Sequence, residues 1–440
     1  MPITEILTQN ARKYAMETGL IEREPAAGRR REITWLEFNN QANQYANALV
    51  ARGVVPGDRV AILMMNCLEW LPFYFGILRT GAMAVPLNFR FTAEEIGKCI
   101  EAAGARVLCY GPEFTERIAA LRGQIGCLER FIFVGDDLPP GAESHLDLLA
   151  SAPATDPGIA ISDQDEAALY FSSGTTGTPK PIILTHANLL SACITENAHH
   201  GQTHLDNFVC IPPLYHTGAK MHWFGSFLVG ARAVILRGVK PRWVLEAVSE
   251  ELATIVWLLV PWAQDILDAI ESGEVDLNDY HLDQWRLMHI GAQPVPPSLI
   301  SDWLKHFPGH QYDTNYGLSE STGPGCVHLG LENIHKVGAI GVPGHGWETL
   351  IVDNDGRPVP RGKAGELIVR GPGVMKGYYN NPAATQATLK DGWLYTGDVC
   401  KQDEDGFIYL VDRKKDVVIS GGENIYPVEI EDFLQAHPEI

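Results

Sequence analysis

The chain is 440 residues long, more than one ordinary core accommodates, and suits a large body of several subdomains with a second domain. Its 45% hydrophobic and 20% charged residues are an ordinary water-soluble composition, and 34 basic against 54 acidic residues leave a net charge of −20 without any basic block, which argues against a nucleic-acid partner. Eight cysteines, at 67, 99, 109, 127, 193, 210, 326 and 400, have neither zinc-site nor disulfide-framework spacing. The first residues lack a signal-peptide layout, and no run approaches the ~20 apolar residues of a membrane span. A reduced, cytoplasmic protein with no transmembrane segment is expected.

Three helix starts stand out early: Thr34-x-x-Glu37, Asn66-x-x-Glu69 and Thr92-x-x-Glu95, the first and third as strict capping boxes. Behind the first, Phe38, Ala42, Tyr45 and Leu49 repeat at helical spacing, and Gly53 follows as a stop. Residues 60–63 and 84–87 read as apolar strands around a helix at about 67–79, and such alternation implies a mostly parallel sheet covered on both faces. Residues 137–165 are rich in Pro, Gly, Ala and Asp and read as a surface connection.

That connection leads to a short strand at 167–171, the run Ser172-Ser173-Gly174-Thr175-Thr176-Gly177-Thr178-Pro179-Lys180, and a second strand at 182–184. Ser/Thr/Gly clusters are usually plain surface loops. Here hydroxyls and glycines lie between two strands with a turn-locking proline beside a lysine, an arrangement suited to phosphate oxygens. The spacing matches neither the dinucleotide fingerprint nor the common P-loop.

Beyond it, helices at 187–198 and 221–228 alternate with strands at 208–211 and 233–236, and strands at 255–260 and 287–290 follow. Pro213-Leu214-Tyr215-His216-Thr217-Gly218 comes after a strand end, where open sheets place ligands. Gly291-Ala292-Gln293-Pro294 ends another strand, and Asn315-Tyr316-Gly317-Leu318-Ser319-Glu320 brings a carboxylate to a glycine turn. From about 335 short alternating segments at 350–352, 366–369 and 407–410, broken by glycine turns, read as antiparallel sheet. Tyr395-Thr396-Gly397-Asp398 is one such turn, and residues 412–416 form a charged hinge before a final strand, Gly421-Gly422-Glu423-Asn424 and a helix from Pro427.

In their order, these segments resemble the signatures of the adenylate-forming superfamily, which contains acyl-CoA synthetases, peptide-synthetase adenylation domains and beetle luciferases. The chain departs from its pattern at Pro181, where glycine is usual and one backbone donor is lost, and at Ser319, which replaces threonine and keeps a hydroxyl. The resemblance is closest to a bacterial acyl-CoA synthetase and implies an α/β fold. A large body at 1–412 would comprise two αβ-layered subdomains, about 1–165 and 166–334, and a small antiparallel β-barrel-like subdomain at 335–412. Residues 413–440 would be the hinge and the truncated start of a small mobile C-terminal domain of about 100 residues.

The same resemblance assigns roles. Residues 172–177 and Lys180 would cradle the phosphates of ATP, with Thr175, Thr176 and Lys180 acting in catalysis, and Glu320 would hold Mg2+. Gly291, Ala292, Gln293, Asn315, Tyr316, Gly317 and Ser319 would border the adenine, and Asp398 with Arg413 would clamp the ribose. His216, catalytic beside the acyl carboxylate, Thr217, Lys220, Trp262, Ser321 and Thr322 would line the acyl pocket. Lys415 would be the hinge, and Gly421 and Gly422 the loop on the side of coenzyme A.

The implied reaction joins a small-molecule carboxylic acid to ATP as acyl-AMP and then to coenzyme A. A carrier-protein thiol as acceptor and a non-catalytic adenylate-binding protein are the alternatives, and a homodimer is compatible with the family. The family's late α-phosphate lysine lies beyond residue 440, so this form is expected to make adenylate slowly.

Overall fold

Two of the three expected helix starts form as capping boxes. In the computed structural model, which describes residues 1–171, 180–291, 293, 295–329, 331–414, 418–420 and 423–425, Thr34 caps Trp35–Ala51 and Thr92 caps Ala93–Ala103, each with its glutamate returning the bond. The middle start differs. Trp70–Arg79 begins without a side-chain cap and is buried along its whole length, so core packing specifies it. Asn66 instead receives Leu214 N at 2.8 Å and donates to Pro212 O at 2.9 Å, while Glu69 is held by Arg31 at 2.6 Å. Residues 137–165 also hold more order than expected, with a short strand at Glu143–Ser144 and a helix at His145–Ser151 whose N-cap is Ser144.

Two large sheets form the body. One has eight strands, in the order Gly377–Tyr378, Pro181–Thr185, Glu166–Phe171, Met83–Pro86, Arg59–Leu63, Val107–Tyr110, Arg130–Phe133 and Glu143–Ser144. The other has nine, in the order Val342–Pro343, Pro324–Leu329, Gln311–Gly317, Leu287–Gly291, Ile255–Leu259, Asn207–Cys210, Arg232–Leu236, Thr18–Glu24 and Arg29–Thr34. The sheets do not divide at the expected 165/166 boundary. Thr18–Thr34 joins the second sheet and Glu166–Thr185 the first, because local periodicity fixes what a segment is and not which edge it pairs with.

Most inner strands are parallel and apolar on both faces, as expected where helices cover each side. One core gathers Ala84 and Val107 from the eight-stranded sheet, Phe208, Ala233 and Leu287 from the nine-stranded sheet, and Phe38, Phe73 and Leu189 from helices. Trp35–Ala51, Trp70–Arg79 and His186–His200 therefore fill the layer between the sheets. No described helix is long and apolar enough to cross a membrane.

A third, five-stranded antiparallel sheet spans Glu348–Val352, Gly365–Arg370, Leu389–Lys390, Trp393–Gln402 and Ile408–Arg413. Gly341 ties it to the nine-stranded sheet: Ile340 N donates to Ile408 O and Ile408 N to Gly341 O, both at 2.8 Å. Its φ is +101°, and a Cβ there would lie 1.9 Å from Val327 O. Gly341→Ala is therefore expected to lower stability by about 2 kcal/mol, measured by urea unfolding; an unchanged midpoint would mean this junction yields freely.

Candidate active site

The run 172–179 lies outside the described residues, but both of its ends are placed. Phe171 pairs with Pro181 across antiparallel strands, so the two ends lie side by side. Pro181 opens its strand, where a missing N–H is tolerated, and its carbonyl accepts from Tyr379 N at 2.8 Å. Lys180 is half-buried, with Nζ 5.5 Å from the centre of the Tyr378 ring.

Tyr378 was not singled out from sequence. It sits on a two-residue strand, Gly377–Tyr378, paired with Ile182 and Ile183 beside the lysine. Its hydroxyl donates to Glu320 Oε1 at 2.9 Å, and Met375 N donates to Glu320 O at 2.8 Å. Burial, then the Glu320 charge, push the phenol well above its ordinary range, so it remains a donor. Lys180, Tyr378 and Glu320 thus form one row of contacts. A half-buried carboxylate bonded to a neutral hydroxyl is a hard oxygen donor and fits a magnesium ion. The only sequence signal for Tyr378 was a short uncharged Gly-Tyr-Tyr run, which means nothing until its strand pairing is known.

Four residues before Glu320, the Tyr316 hydroxyl donates to Asp398 Oδ2 at 2.5 Å. Asp398 Oδ1 lies 3.3 Å from Arg413 Nε, its cross-strand partner. Asp398 is 3% exposed, and burial raises its carboxyl above the ordinary value against the opposing pull of Tyr316 and Arg413. Lys414 reinforces the turn, its N donating to Gly397 O and its Nζ to Glu366, both at 2.8 Å. The segment carrying Tyr316 and Glu320 thus touches the Lys180 strand side through Tyr378 and the five-stranded sheet through Asp398.

The other expected residues are placed as follows. Gly291 is buried at a strand end and Gln293 is exposed, while Ala292 lies outside the described residues. Asn315 donates to Glu196 Oε2 at 3.1 Å, Gly317 is exposed, and Ser319 begins the short 3-10 turn that carries Glu320. His216 is exposed at the N-cap of Thr217–Leu228, beside Tyr215, and Thr217 is half-buried. The Lys220 side chain is outside the described part. Trp262 packs with the helical layer on the outer face of the nine-stranded sheet. Ser321 and Thr322 are buried, with hydroxyls donating to Gly323 O at 2.9 Å and Gly373 O at 2.7 Å. Lys415, Gly421 and Gly422 lie outside the described residues.

Layered α/β sheets bring a lysine, a glutamate and a buried aspartate around one segment, an arrangement that fits a nucleotide-dependent enzyme. The chain belongs to the AMP-binding enzyme family, whose profile matches residues 7–379. Feruloyl-CoA synthase from an Amycolatopsis species is 35% identical over 410 residues, 93% of this chain and 79% of its own. Long-chain-fatty-acid–CoA ligase FadD13 of Mycobacterium tuberculosis is 30% identical over 411 residues, 93% and 78% respectively. Among solved structures, anthranilate CoA ligase AuaEII in complex with anthranoyl-AMP matches with a TM-score of 0.91 at 28% identity, covering 100% of this chain and 83% of its own. The acyl-CoA synthetase class expected from the motifs is the class of these relatives, with ATP, Mg2+ and coenzyme A as the reactants and ion that the class uses.

Proposed function

We propose that this chain activates an aromatic carboxylic acid with ATP and passes the acyl group to coenzyme A. The acid's carboxylate oxygen attacks the α-phosphorus, the bond to the β-phosphate breaks, and pyrophosphate leaves. The thiol sulfur of coenzyme A then attacks the acyl carbon, the carbon–oxygen bond to AMP breaks, and the thiol proton passes to solvent. The observation that carries the reading is the pair of contacts on one segment, Glu320 with Tyr378 beside Lys180 and Tyr316 with Asp398. The aromatic class is favoured by two of the three relatives named above, feruloyl-CoA synthase at the higher identity and anthranilate CoA ligase, against the fatty-acid ligase FadD13.

In this reading Lys180 and residues 172–177 hold the phosphate oxygens, the Tyr316 ring faces the adenine, and Asp398 and Arg413 grip the ribose. Glu320 holds magnesium, an ion that neutralises phosphate charge when bound. His216 and Thr217 border the acyl carboxylate.

Incubation with ATP, magnesium, free coenzyme A and a panel of hydroxycinnamic, benzoic and fatty acids tests the proposal. Free aryl-CoA thioester is expected. Acyl-AMP that accumulates without thioester would point to a carrier-protein acceptor, and preference for fatty acids would overturn the aromatic class. Tyr378→Phe removes the hydroxyl bonded to Glu320 and is expected to raise the KM for magnesium-ATP about 10-fold with kcat less affected. An unchanged KM would remove Tyr378 from the site.

A further inference from the structure

Beneath the Tyr316 segment lies a polar cluster that acid activation does not use. Glu196 and His200 are one turn apart on a single face of His186–His200. His289 and Asp313 are register partners on neighbouring parallel strands, so their side chains leave the same face of the sheet. One ligand atom from each of these four residues can be chosen so that all lie within 4.8 Å of one another. His200 Nε2 is 3.1 Å from Glu196 Oε1 and 2.5 Å from Asp313 Oδ2, and His289 Nδ1 is 2.9 Å from Asp313 Oδ2.

We propose that Glu196, His200, His289 and Asp313 bind one divalent first-row transition-metal ion of the zinc class, separate from the magnesium assigned to Glu320. The four side chains are at most 1% exposed, and two carboxylates in a dry interior require compensating positive charge. A divalent ion supplies it in full while the imidazoles act as neutral nitrogen donors. Two nitrogens and two oxygens without thiolate suit zinc, cobalt or iron better than magnesium or calcium. Asp313 Oδ1, also buried, has no hydrogen-bond partner and offers a second coordinating oxygen.

Metal–ligand bonds of about 2.1 Å in a tetrahedron set the ligand atoms about 3.4 Å apart, so the shortest pair, now 2.5 Å, would open by about 0.9 Å and any pair near the 4.8 Å limit would close by about 1.4 Å. Supports of the kind that orient metal ligands are present: Asn315 Nδ2 donates to Glu196 Oε2 at 3.1 Å, and an Arg286 guanidinium N–H donates to His200 O at 3.0 Å. Four protein ligands in a closed interior mark a structural ion. It would tie the helix to two strands directly under Asn315 and Tyr316.

The test needs no catalytic readout, so its failure is distinguishable from failure of the ligase reading. The whole chain, folded in the presence of zinc and freed of loosely bound metal, is analysed for elements, and a cobalt-loaded sample is examined for the visible bands of a four-coordinate site. About one ion per chain is expected. Those bands should vanish in Asp313→Asn and in His289→Gln and persist in His281→Gln, whose histidine is exposed. If the folded parent protein holds no stoichiometric zinc and gives no cobalt bands, the cluster is a hydrogen-bonded network only and the proposal is overturned. Bands that survive both variants would place the ion elsewhere and overturn it equally. The parent spectrum decides the matter even if a variant fails to fold.

Discussion

Lys180→Met is expected to slow acid-dependent ATP–pyrophosphate exchange about 10²- to 10³-fold relative to the parent chain, with the fold retained. Negative charge grows on the α-phosphate and on departing pyrophosphate as the acid's oxygen attacks, so a fixed cation at that point contributes more to the transition state than to bound ATP. Lys180 is well suited to that task because its backbone enters the strand Pro181–Thr185 and its Nζ lies over the Tyr378 ring at 5.5 Å. Methionine keeps most of the length and the apolar stem, so the ring contact and the melting temperature should change little. Lys180→Arg should recover part of the rate, since it restores charge with a different geometry. Exchange at the parental rate in Lys180→Met would sink the assignment of this lysine to the phosphates.

What the sequence made legible is what short-range physics decides. A capping box involves residues three apart, and both strict boxes form at Thr34 and Thr92. Apolar runs such as 60–63 announce strands whatever they pair with. Asn66-x-x-Glu69 has much the same local form, yet Asn66 serves the Ile211–Leu214 turn and Glu69 serves Arg31, because partners far away in sequence compete with the cap.

The unread part is register between distant segments. Nothing local says that Thr18–Glu24 lies beside Arg232–Leu236, or that Gly377–Tyr378 adds itself to Pro181–Thr185. Tyr378 and its bond to Glu320 were invisible for that reason. The same applies to the buried cluster: Glu196 and His200 are at i,i+4 in plain sight, but only the pairing of His289 with Asp313 gives that spacing a meaning. The Tyr316, Glu320 and Asp398 signatures are legible as an order of short motifs that resembles a family's, while their contacts depend on three sheets meeting.

Asp398→Asn should separate binding from stability. Burial raises the Asp398 carboxyl above its ordinary value, and an acid raised in the folded state keeps its proton to higher pH there than in the unfolded chain. Its contribution is therefore fully present below the unfolded value of about 3.9 and is lost as pH rises through the folded value. At neutral pH the ionised group opposes folding, even with the Tyr316 hydroxyl and Arg413 beside it. Asparagine retains an oxygen for Tyr316 and removes the buried charge, so the melting temperature at pH 7 should hold or rise. The variant should also lose the fall in stability expected of the parent as pH climbs just above the ordinary aspartate range. Binding should move the other way. If the ribose hydroxyls donate to this carboxylate, two charge-assisted bonds weaken together, and AMP affinity measured by calorimetry should drop about 10²-fold, or about 2.7 kcal/mol. Unchanged AMP affinity would sink the ribose assignment, and a marked fall in melting temperature would show instead that the carboxylate's pairing with Arg413 outweighs its burial.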